Sequence, residues 1–311
     1  MAEMPNINSG SPYLPVGVAI IGGQPTVRHD IPVCAVLIAL YLAGAVGNMT
    51  IFQLNRRKGH KFIMSVAMFG LCMSRIITNV LRIVWTTQPN NVRIAIAAQV
   101  LTNAGVLILY IVLLLLTLRV FRARRPKMGW NKHLNRTIKA AYFLLFFALV
   151  VTVSFTVLTF YTLNMKLRTD AVWIQRSAIL YMMIFNITSL TFLILSLILP
   201  PALDSENFGT GSMGSKLTIL AVAVFFCNFL SGFRTGLIWS ATRPASDPAW
   251  YDTKPAFYVI IFGFEIVIVY LFLFTRFDRM FWVPNGSSKP GDYSSIVLGE
   301  TSIKEPEQEK S

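Results

Sequence analysis

The sequence predicts an all-α membrane protein, a bundle of seven transmembrane helices with its N-terminus outside and its C-terminus in the cytoplasm. Three observations predict it. Of the 311 residues 54% are hydrophobic and only 14% charged, with a mean hydropathy of +0.58, too apolar for an ordinary soluble domain. Seven apolar runs are long enough to cross about 30 Å of hydrocarbon. The basic residues, which give a net charge of +14, gather in short loops between those runs, where they encode orientation rather than nucleic-acid binding.

The first 30 residues are polar and rich in Gly and Pro, without the basic start and small-residue cleavage site of a signal peptide, so span 1 is expected to act as an uncleaved anchor. Their short apolar run "LPVGVAIIGG" cannot cross a bilayer. The spans are expected at roughly 31–54, 62–84, 94–119, 138–163, 172–199, 217–240 and 256–275. Segment 1–30 is thus extracellular or lumenal, 31–275 the membrane domain, and 276–311 a cytoplasmic tail whose acidic end, "IKEPEQEKS", reads as disordered. The loop after span 1, "NRRKGHK", and the loop after span 3, with Arg119, Arg122, Arg124, Arg125 and Lys127, form a cytoplasmic basic face. Topology accounts for that face; anionic inner-leaflet lipids or a cytoplasmic signalling partner are the further roles it could serve. Sequons start at Asn48, Asn135, Asn186 and Asn285, and none is expected to carry a glycan in this orientation.

Span 2 carries "SRIITNVLR", whose Arg75, Asn79 and Arg82 share one helix face at i, i+4 and i+7. A charge near a helix centre costs about 2.5 to 3.5 kcal/mol on insertion scales, so that face looks into the bundle. Gln99 and Asn103 on span 3, Ser231 and Arg234 on span 6 and Glu265 on span 7 reach a similar depth, in the outer half or near the middle. Two readings follow. Glu265 locks Arg75 or Arg234 while Arg82 snorkels to the interface, or the surplus arginines hold an anionic ligand such as a carboxylate, phosphate or lipid headgroup. "GFRTG" at 232–236 adds a small-xxx-small surface, read as helix packing ahead of a dimer interface.

Enzyme chemistry finds little support. The three histidines lie outside the spans, Glu265 is the single carboxylate counted within them, and span 7 has no lysine for a Schiff base. Cys34, Cys72 and Cys227 form no metal spacing. No cofactor or metal is expected, and catalysis by Glu265 ranks third among the functions. The rhodopsin-like receptor signatures are missing too, since span 3 ends "LTLRVFRARR" and span 7 "YLFLFTRF".

The blocks "CMSRIITNVLRIVW", "NVRIAIAAQVLTNAGVLILYIV", "LRVFRARRPKMGW" and "RFDRMFWVPNGSSKPGDYSS" resemble a fungal family of seven-span integral membrane proteins often labelled family-C-like G-protein-coupled receptor proteins. On that resemblance Arg75, Arg82, Trp85, Asn103, Gly105, Arg119, Arg122, Pro126, Gly129, Trp130, Asp278, Arg279 and Pro284 match motif positions. It implies a seven-span fold and receptor-like sensing of a small or anionic ligand in a plasma membrane or endomembrane. The layout is also similar to lipid-translocating exporter-like proteins, which makes lipid or small-molecule transport the alternative.

Overall fold

The computed structural model describes residues 12, 13 and 17–294; the expected disordered end, 303–311, lies outside the described residues. Seven helices are long and apolar enough to cross a membrane: α1 (Val27–Arg57), α2 (Ile63–Thr87), α3 (Val92–Arg124), α4 (Lys132–Tyr161), α5 (Met165–Ile198), α6 (Met213–Trp239) and α7 (Lys254–Phe274). No strand occurs among the described residues. The chain is therefore a multi-pass integral membrane protein. Each helix brackets its expected span to within several residues, usually extending beyond it. This extension matters, because it draws Asp30, Lys216 and Lys254 into helices whose charges were counted as fewer.

Local chemistry sets several helix starts. Asn131 caps α4 by accepting from the His133 amide at 2.9 Å, and Asn164 caps α5 by accepting from the amides of Lys166 and Leu167. Ser212 caps α6 through the Ser215 amide, so each cap satisfies an otherwise orphaned donor of the first turn. Pro32 lies inside α1, at its sixth residue, and removes one intrahelical hydrogen bond there. Pro126 ends α3 by disfavouring helix at Arg125.

α3 is the axis of the bundle. Its most apolar window is 72% buried, against 28 to 44% for the other spans, and it touches α2, α4, α5 and α6. Leu109, Leu113 and Leu116 on it have no exposure. Around it α1 packs on α2, α4 on α5, α5 on α6, and α7 closes against α6 and α1. α7 opens with a π-helical turn, Phe257–Gly263, a geometry that often marks a functional position. Here it places Tyr258, Phe262 and Glu265 toward the interior, all buried.

The two ends of the bundle differ. At the end where the chain enters α1, residues 17–23 lie across the helices, tied by Ala19 N–H to the Arg243 carbonyl, Gly22 N–H to the Asp252 carbonyl and Ala245 N–H to the Gly17 carbonyl. At the opposite, exit end, the start of the tail is packed rather than free: Phe277 and Phe281 are fully buried and Tyr293 nearly so. Glu206 holds it by accepting from the amides of Gly291 and Tyr293, each at 2.9 Å. Burial pushes the Tyr293 phenol above its ordinary range.

Candidate functional site

Three polar centres occupy the entry half of the bundle. The deepest is the pair of Arg75 on α2 with Glu265 on α7. Arg75 Nε and Nη2 donate to the two carboxylate oxygens at 2.5 and 2.6 Å, while Nη1 donates to the carbonyls of Leu101 and Thr102 on α3 at 3.1 and 3.0 Å. Both side chains have zero exposure. Such a fork-to-carboxylate geometry is the strongest form of charged hydrogen bond. Tyr41 adds a donor, its hydroxyl shared between the Phe262 carbonyl at 2.9 Å and Glu265 at 3.5 Å. Gly105 makes room for the guanidinium, since a Cβ there would lie 3.0 Å from Arg75 Cζ and 2.8 Å from Ser74 Oγ.

The second centre is built on Asp30, which has no exposure. Its carboxylate accepts from Arg82 Nε and Nη2 at 3.2 and 3.1 Å, from the Tyr258 hydroxyl at 2.5 Å, from the Thr26 amide at 2.7 Å and from Lys254 Nζ. Arg82 also donates to the Gly22 carbonyl at 2.7 Å and stacks over Phe257. The expected snorkelling of Arg82 is therefore corrected: it is 5% exposed, because α1 begins early enough to bring it a carboxylate.

The third centre is Arg234 on α6. Its Nη2 donates to Asn103 Oδ1 at 2.6 Å and to the Thr102 carbonyl at 3.1 Å. No carboxylate pairs with it among the described residues, and its buried Nη1 has no partner. Arg234 lines a cavity of about 180 Å³ together with Arg82, Gln99, Asn103, Ser231 and Gln175. At about 30 Å³ per water, that is room for about six waters. The walls come from α2 to α7 and from Ile20 and Ile21 of the crossing segment. Apolar residues such as Leu149, Phe160, Ile179, Met182 and Ile261 form one part of the lining, and threonine hydroxyls another. Those of Thr102, Thr152 and Thr235 donate back to their own helices, leaving hydroxyl lone pairs as acceptors.

The eight residues expected to form the site thus divide. Arg82, Gln99, Asn103, Ser231 and Arg234 meet on one cavity. Arg75 and Glu265 satisfy each other off the cavity wall, and Asn79 donates to the Arg75 carbonyl of its own helix. The count of three arginines against one carboxylate is corrected as well, since Asp30 joins Glu265. Sequence reasoning passed over Asp30, Lys254, Tyr258 and Gln175. Asp30 carried a usable signal: Thr26 is an N-cap residue type, and an acid soon after it marks a first helical turn that would have moved the span boundary back.

At the exit end, three arginines of the expected basic face make internal hydrogen bonds. Arg119 donates to the Phe281 carbonyl at 2.7 Å, Arg122 to the Gly129 carbonyl and Asn135 Oδ1, and Arg124 to the Leu199 carbonyl. Of the five residues only Lys127 is exposed; Arg119, Arg122, Arg124 and Arg125 are half-buried. These arginines tie loops and tail to the helices. Comparison with protein families, curated proteins and solved structures yields no match to this chain. No cluster of His, Cys, Asp or Glu suited to a metal occurs among the described residues.

Proposed function

We propose that the protein is a receptor-like sensor of a small anionic ligand, bound in the entry-half cavity, with that end of the bundle facing outward. One observation carries the reading: Arg234 stands on the cavity wall as a half-buried cation that pairs with no carboxylate among the described residues and whose buried terminal nitrogen is unused. A charge within a span is costly, and one left uncompensated is a functional-site hypothesis with an anion as the natural partner. The other two arginines are already neutralised by Glu265 and Asp30.

Sensing is favoured over transport because the exit half below the cavity is filled. Leu113, Leu116, Leu220 and Val224 in that half have no exposure, and none of them lines the cavity. A transporter would have to open that layer. The test is a thermal-shift screen of purified protein against acetate, octanoate, inorganic phosphate and sulfate, followed by flux measurements in proteoliposomes. At least one anion should raise Tm in the wild type and not in Arg234→Gln, without flux of that anion. No shift from any of the four would overturn the binding reading, and flux without a partner protein would replace sensing by transport.

A further inference from the structure

The cavity's chemistry narrows what it takes. Two buried donors on its wall lack partners, Arg234 Nη1 and Gln175 Nε2. They come from the neighbouring helices α5 and α6. Arg176, next to Gln175, donates from Nε to the Ile238 carbonyl at 3.0 Å, which fixes α5 against α6 about one turn from Arg234. Both donors face the cavity, so an acceptor placed there has two N–H groups available to bind it.

Charge balance favours an acceptor with one negative charge. Arg75 and Glu265 cancel. Asp30 serves both Arg82 and Lys254, and the excess of that cluster sits on Lys254, whose side chain is 26% exposed. Of the two arginines on the cavity wall, Arg82 has a carboxylate partner, and Arg234 pairs with none among the described residues. A dianion would bring a second charge with no buried counterpart, at a steep desolvation cost. The remaining wall is apolar on the sides of Leu149, Ile179, Met182 and Ile261, which calls for a hydrocarbon body beside the charged group.

We propose that the cavity binds a compact amphipathic monocarboxylic acid, of about ten heavy atoms on the volume available, with its carboxylate on Arg234 and Gln175 and its chain against the α4, α5 and α7 wall. The inference rests on the ligand-binding reading above and goes further in naming the ligand class.

The experiment measures binding of radiolabelled octanoate to full-length protein in nanodiscs, with empty nanodiscs subtracted and octanamide, acetate and inorganic phosphate as competitors. Octanoate should bind saturably, with octanamide and acetate each at least tenfold weaker and phosphate without effect. Arg234→Gln should lose octanoate by more than tenfold, Arg234→Lys should recover part of it, and Gln175→Leu should weaken it severalfold. An unchanged thermal unfolding transition in these variants shows that the fold is intact. Arg234-dependent binding of phosphate in place of octanoate would overturn the carboxylate inference and leave the anion reading standing. Equal binding of octanoate and octanamide, indifferent to Arg234→Gln, would overturn both.

Discussion

Arg75 and Glu265 show how much a buried ion pair depends on being complete. Replacing one partner leaves an unpaired charge in a dry interior, worth about 3 to 5 kcal/mol, whereas removing both is far milder. Glu265→Gln should therefore lower stability by about that amount, and Arg75→Met with Glu265→Met should recover most of it. Reversible unfolding in mixed micelles reads the difference, and equal loss in the single and double variants would refute the pairing. Gly105→Ala tests the same centre sterically. The added Cβ meets Arg75 and Ser74 inside normal contact distance, so a loss of about 1 to 3 kcal/mol is expected.

The residue scale is also where the sequence was most and least legible. That Arg75 and Arg82 face inward follows from helical period and the cost of charge in lipid. The identity of their partners does not follow. Asp30 is 52 positions from Arg82 and Glu265 is 190 from Arg75, and no local pattern encodes such pairings. Gln175 sits among polar neighbours, "DAVWIQRS", and nothing in that string distinguishes it from a residue near the membrane boundary.

At the scale of elements, hydropathy located all seven helices, because each must hold an apolar run of fixed length. Their ends were less readable, since caps and prolines rather than hydrophobicity decide them. The π-helical turn opening α7 left no sequence signal beyond an apolar run. The short helix Phe277–Met280 follows α7 after Arg276, whose φ of 51° puts it in the left-handed region. Asp278 fastens this turn, accepting from Arg276 at 3.1 Å and from Asn55 at 2.9 Å. Burial alone would push its carboxyl up, but the hydrogen bonds from Arg276 and Asn55 outweigh burial and hold it below its ordinary value of 3.8. A carboxyl depressed in the folded state contributes stability that is fully present above its unfolded pKa and lost as pH falls through the folded one. Stability should thus decline below about pH 4 by this route, and Asp278→Asn should flatten that limb of a Tm-against-pH curve while lowering the plateau at neutral pH. An unaltered acid limb in the variant would assign the loss to other groups.

At the scale of the molecule, the bundle is polar and hollow in its entry half and filled in its exit half. Arg119, Arg122 and Arg124 of the expected basic face also hold the exit end together, a role that positive charge in a loop cannot reveal, because topology, lipid attraction and internal hydrogen bonding all use the same residues. The orientation we propose has a direct check. Asn135, whose side chain accepts from Arg122 at 2.6 Å, begins a sequon at the exit end, and it should remain unmodified when the protein is made in a glycosylating membrane. A glycan there would invert the bundle and place the cavity on the cytoplasmic side.

The central claim is that a small anion neutralises Arg234 inside the entry-half cavity. The most direct measurement is native mass spectrometry of the full-length protein released from nanodiscs after incubation with octanoate, comparing wild type with Arg234→Gln at matched thermal stability. The account predicts a one-to-one adduct of the carboxylate on the wild type that is absent from the variant. Adducts of equal abundance on both, or on neither, would contradict it.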